Sequence, residues 1–97
     1  MRAIVNIMPG LAADAAGWRA REVRVEAETA SIGDILRSVL LKDGTTSLYD
    51  LIADDQGLKP DFAVFISGEL VRGAVDWSRA VVDSEQIHVC DWPMRDS

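Results

Sequence analysis

Ninety-seven residues, 48% apolar and 27% charged, suit one domain around one core and leave no room for a second. Sixteen acidic against ten basic residues give a net charge of −6, which repels phosphate backbones and sets nucleic acid aside as a partner, whereas a basic protein surface fits. No apolar leader segment and no run approaching about 18 apolar residues is present, and the one cysteine, Cys90, has no companion for a disulfide or zinc site. The expectation is a single domain over 1–97, with 91–97 a tail, in a reducing cytoplasm, neither secreted nor bound to a membrane.

Residues 3–8 are rich in β-branched side chains and run into Pro9-Gly10, a strand closed by a turn. Residues 11–20 are alanine-rich between Gly10 and Gly17 and read as a loop with one helical turn. Residues 21–26 alternate polar and apolar with period two, a strand with one buried face that pairs with the first as a hairpin. The period then changes. Ile32, Ile35, Leu36, Val39 and Leu40 form one stripe of an amphipathic helix. Ser31 is its N-cap with Asp34 three residues on, and Asp43-Gly44 supplies the stop. Leu48, Leu51 and Ile52 predict a short second helix against the core.

Residues 62–66, Phe-Ala-Val-Phe-Ile, are apolar on both faces and read as a central strand. Ser67-Gly68-Glu69 turns the chain, and residues 70–72 return as a short strand. Asp83-Ser84-Glu85 makes another turn into a last strand over 86–90. The economical packing of this order is α+β: one main helix laid across one face of a mixed sheet of four to five strands, with the last strand beside the first.

The order of elements, the segment "VEAETASIGDILRSVL", the hairpin "FAVFISGELVRG" and the closing "VVDSEQIHVCDWPMRDS" resemble the MoaD/ThiS family of ubiquitin-like β-grasp sulfur carriers. That family leads a strand into a capped helix, a Val-Asn-Gly-Glu-like hairpin, and a turn into a final strand. The resemblance implies a flexible tail ending Gly-Gly, whose carboxylate is adenylated and converted to a thiocarboxylate; a tail without side chains threads a narrow channel to reach ATP. Aligned on the last strand, Asp96 and Ser97 stand at the diglycine position, and the last glycine is Gly73. The expectation is therefore a non-catalytic β-grasp module or small subunit that binds a larger protein, an enzyme subunit or an activating-enzyme-like partner. A divergent sulfur carrier in molybdenum-, tungsten- or thiamin-type cofactor synthesis is the alternative. In β-grasp carriers the partner lies over the sheet face away from the helix and follows the last strand into the tail. The resemblance thus implies a contact at Phe65, His88, Cys90, Trp92, Pro93 and Met94.

The remaining chemistry is sparse. His88 and Cys90 are two residues apart on one strand face, a pairing that reads as packing in the absence of a third group. Asp54-Asp55 and Asp61 read as solvated loop acids, with no glycine-centred ligand loop among them. Trp18, Arg19, Arg21 and Arg24 form a local basic cluster, but Arg21 and Arg24 have opposite strand parity and read as separate solvated side chains. Trp77 reads as a core or rim filler. No phosphate-cradling glycine loop or nucleophile elbow occurs, so no enzymatic activity, cofactor or metal is expected.

Overall fold

The computed structural model describes residues 1–8, 10–54, 57–71 and 76–91, with the backbone alone at 11 and 12. β1 (Arg2–Ile7) buries its odd positions, Ala3, Val5 and Ile7, to within 3% of full burial, the outcome that period-two alternation demands of a strand with one face on a core. β2 (Ala20–Arg24) pairs antiparallel with it, Ala3 opposite Val23, and β9 (Gln86–Asp91) pairs parallel on the other side, Val5 opposite Ile87. β6 (Phe62–Ile66) runs antiparallel to β9 and carries the two-residue strand β7 (Glu69–Leu70) at the far edge. The sheet order is β2-β1-β9-β6-β7, a mixed five-stranded sheet. The strand predicted as central, β6, is interior, but the last strand takes the middle. A parallel β1–β9 pair requires a long crossover, and everything between the hairpin and β6 supplies it.

One face of the sheet, built by Val5, Val64, Ile66, Ile87 and Val89, meets Ile32, Ile35 and Leu36 of α2 (Ile32–Ser38) and Leu48 and Ile52 of α3 (Leu48–Ile52), all of them buried in one cluster. Each such aliphatic side chain contributes about 1.5–3 kcal/mol on burial. Both helices start as capped turns: Ser31 Oγ accepts from Asp34 N and Ser47 Oγ from Asp50 N, each at 3.1 Å.

α2 is shorter than the stripe predicts. It ends at Ser38, Val39 is extended, and Leu40 turns outward to 41% exposure while Val39 stays buried. The backbone bonds of Val39 and Leu41 explain the break: Leu48 N donates to Val39 O at 2.9 Å and Leu41 N to Thr46 O at 2.8 Å, so these groups close a loop with 46–48 instead of extending the helix. Asp43-Gly44, predicted as the helix stop, sits in that loop. The Asp43 carboxylate accepts from Thr45 N, Thr46 N and Thr46 Oγ1, which together hold its pKa down to about 2.

The alanine-rich segment predicted as a loop with one helical turn forms a six-residue helix, α1 (Leu11–Ala16), closed by Gly17 at φ 75°. Lys42 N donates to Ala15 O at 3.2 Å and Ala16 is buried, so tertiary contacts hold a helix too short to persist alone. The β6–β7 hairpin turns through Ser67 (φ 50°) and Gly68 (φ 80°); two consecutive left-handed residues make the type I′ turn whose twist matches paired strands, so Glu69, predicted as part of the turn, instead opens β7 opposite Ile66. Two-residue ladders complete the frame: β3 (Ala30–Ser31) with β8 (Ala80–Val81), and β4 (Ala53–Asp54) with β5 (Gly57–Leu58). Trp77 is buried in the core cluster, edge-on to Tyr49 with ring centroids 5.5 Å apart.

Candidate functional site: the open sheet face

Strand alternation that buries one face presents the other. Because Phe65 lies opposite both Leu70 and His88, and Asn6 opposite both His88 and Ala20, the side chains Leu70, Phe65, His88, Asn6 and Ala20 form one row across all five strands, on the side away from the helices. Phe65, His88 and Asn6 are half-buried in that row, and Leu70 is 48% exposed. Asn6 Nδ2 donates to Gln86 Oε1 at 3.1 Å, fixing the neighbouring row where Ile4 lies between Gln86 and Glu22. Met8, exposed just past the end of β1, extends the apolar surface beyond Asn6.

Ala63 and Cys90 face each other across β6 and β9 on this same side. Both are buried, yet neither belongs to the main core cluster. Cys90, expected as a contact residue, is thus on the expected face but only 4% exposed. Burial pushes its thiol pKa up, and the negative charge of Asp91 adds to the shift, so it remains a protonated, poorly nucleophilic group. His88 and Cys90 share the face, as alternation requires. Of the residues singled out in the sequence, Phe65, His88 and Cys90 come together here; Trp92, Pro93, Met94, Asp96 and Ser97 lie outside the described residues, as does Asp55.

Leu70 is the residue that sequence reasoning missed. The signal was available: a two-residue turn at Ser67-Gly68 sets Glu69 opposite Ile66, and hence Leu70 opposite Phe65. Leu70 also borders a groove of about 300 Å³ at this end of the sheet, together with Leu58, Pro60, Ala63 and Val71. Behind the hairpin, the Glu85 carboxylate accepts from Val82 N at 2.9 Å and from Ser67 Oγ at 2.7 Å, which lowers its pKa and ties the β6–β7 turn to the β8–β9 turn.

At the opposite edge, the Arg21 guanidinium stacks on the Trp18 ring at 4.9 Å, and Arg24 pairs with Glu22 at 2.6 Å. Among the described residues no three His, Cys, Asp or Glu side chains gather as a metal-binding group, and no helix is long and apolar enough to cross a membrane.

No family model and no curated protein matches the chain. Solved structures do. SAMP1 from Haloferax volcanii is 18% identical over the whole of both chains with a TM-score of 0.72. A second structure, of H. volcanii small archaeal modifier protein 1, is 19% identical over 92% of this chain and 94% of that one, with a TM-score of 0.67. The solution structure of the H. volcanii HVO 2177 protein is 24% identical over all of this chain and 87% of that one, with a TM-score of 0.66. At these identities the likeness carries the fold: this chain is an α+β, ubiquitin-like β-grasp domain of the kind seen in those small archaeal proteins.

Proposed function

We propose that this chain is a non-catalytic β-grasp interaction module that docks on a larger protein through its open sheet face, with Phe65, His88 and Leu70 at the centre of the contact and residues 92–94 at its margin. The observation that carries the reading is the row from Leu70 through Phe65 and His88 to Asn6. An aromatic ring and an imidazole are half-buried between the exposed Leu70 and the amide of Asn6, on the sheet face opposite the one that packs against α2 and α3. A contiguous apolar surface with a polar border is how protein-binding patches are built, and a ring already held by its cross-strand neighbours loses little entropy on docking.

The likeness to small archaeal modifier proteins supports a protein partner in the broad sense, and it favours a second reading, that the chain is a divergent MoaD/ThiS-type carrier or modifier. A carrier docks through the same face, so docking alone does not separate the two. Photo-crosslinking tests the first: a crosslinker at Leu70 captures one larger protein, a crosslinker at Asp34 on the helix side does not, and Phe65→Lys abolishes the capture. Capture from Asp34 with none from Leu70 refutes the open face as the docking surface. ATP–pyrophosphate exchange with a MoaD/ThiS-type activating enzyme tests the second. Exchange by the unmodified chain, followed by an intact-mass gain of sulfur for oxygen, establishes the carrier in place of the module.

A further inference from the structure

The backbone bonds of the β1–β2 pair show which groups of the β2 edge are free. Ile7 N donates to Arg19 O at 2.8 Å and Val25 N to Met1 O at 2.9 Å. With Val5 opposite Arg21 and Ala3 opposite Val23, residues 19, 21, 23 and 25 turn their N–H and C=O groups toward β1. The alternation of an antiparallel ladder therefore turns those of Ala20, Glu22 and Arg24 outward. β2 is the last strand on that side of the sheet and no described residue pairs with its outer edge. The strand edge itself is basic within an acidic chain, with the exposed Glu26 and Glu28 lying just beyond its end. Arg2 and Arg24 are directly opposite each other on the open face, and Arg19 and Arg21 have the other parity; Glu22, paired with Arg24, is the acid among them. Arg21 is held against the Trp18 ring, whose Nε1 in turn donates to Leu40 O at 3.3 Å, so its guanidinium is anchored and loses little freedom when it pairs.

Opposite parity denies these arginines a shared face, but it suits an edge. A strand added to β2 projects side chains alternately to both sides of the sheet, where one set meets Arg24, with Arg2 one strand further in, and the other meets Arg19 and Arg21. We infer that the β2 edge accepts an extended acidic segment of a partner protein as an added strand, bonded to the outward groups of Ala20, Glu22 and Arg24 and paired with arginines on both sides of the sheet. Charge decides between occupants. A second copy would bring the same surplus of arginines against this edge, and like charge in excess keeps edges apart. A nucleic acid offers phosphate acceptors but no matching ladder of backbone donors and acceptors. An acidic strand feels mainly the local arginines, because the Debye length at physiological salt is about 8 Å. The edge meets the open-face row only at Ala20, and His88 and Phe65 at that row's centre lie two and three strands away, so either proposal can fail without the other.

The test is an amide NMR titration of the full chain with the capped peptide Glu-Val-Glu-Glu-Val-Glu, whose acids fall on both faces of a strand, beside its all-Lys counterpart and a single-stranded thymidine oligonucleotide. Hydrogen exchange at the amides of Ala20, Glu22 and Arg24 slows on adding the acidic peptide, while those of Arg21 and Val23, already bonded to β1, stay as they were. Arg21→Gln with Arg24→Gln weakens binding roughly tenfold. Glu22→Pro removes one outward N–H without touching the β1 ladder, as edge positions tolerate, and abolishes the exchange pattern. The inference is overturned if the acidic peptide produces no alternating protection, if the Lys peptide or the oligonucleotide binds as tightly, or if those three amides are already protected in a dimer of the chain alone.

Discussion

Leu36 and Leu40 sit one helical turn apart in the sequence stripe, and a helix continued through Leu40 gives them equal weight. The structure separates them. Leu36 is fully buried in α2 against the sheet, whereas Leu40 follows the extended Val39 and is 41% exposed. Leu36→Ala removes a fully buried side chain from a cluster whose neighbours, Ile32, Ile35 and Ile52, are buried to the same degree, and is expected to cost about 2–5 kcal/mol. That is a large share of the roughly 5–15 kcal/mol that stabilises a domain of this size. Leu40→Ala loses a smaller transfer contribution and opens no closed cavity, so a cost of about 1 kcal/mol or less follows. Urea unfolding monitored by circular dichroism measures both. With a slope of about 1–3 kcal/mol per molar, the midpoint for Leu36→Ala falls by about 1 M or more, and that for Leu40→Ala by a few tenths. Equal shifts for the two variants would refute the early helix end, and a Leu36→Ala cost below about half a kcal/mol would remove the packing of α2 on the sheet.

The same structure sets other expectations. Three donors in the 43–46 turn hold the Asp43 carboxyl near pKa about 2, below its unfolded value of about 3.9; a depressed carboxyl stabilises the fold above the unfolded pKa and loses that contribution as pH falls through the folded one. The stability difference between wild type and Asp43→Asn is therefore constant from pH 7 to about pH 4 and shrinks between about pH 4 and 2; a difference unchanged across that window refutes the assignment. Gly68 is at φ 80° with open space where a Cβ would sit, so Gly68→Ala costs about 1–2 kcal/mol from conformation alone; Gly68→Asn costs less, and a neutral Ala variant in thermal unfolding contradicts the type I′ turn. Cys90 is buried and its thiol pKa is raised, so the native protein reacts with Ellman's reagent far more slowly than the urea-unfolded chain, and equal rates at pH 7 place the thiol on the surface.

Much of the fold is local and hence legible. Ser31 before an apolar stripe, β-branched runs with period two, and Ser67-Gly68 between two apolar segments each specify their element through interactions within a few residues. The ends were less legible, because they depend on distant partners. α2 stops at Ser38 since the backbone groups beyond it bond to 46–48, and α1 persists because the 42-end of the next loop bonds back to it. Such bonds leave no signature in sequence windows.

For the candidate site the division is sharper. Alternation alone placed His88 and Cys90 on one face and Arg21 and Arg24 on two, since side-chain direction along a strand is set by the pleat. Which face meets water, and who sits beside whom, was decided only when five strands separated by tens of residues took their register. That register set Phe65 between Leu70 and His88, buried Cys90 against Ala63, and left β2 at the edge with its arginines on both sides. Periodicity is a property of neighbouring peptide units and survives in the sequence. Strand order and exposure are properties of contacts closed over long loops, chosen by burial of the whole apolar set at once, and only the folded chain contains them.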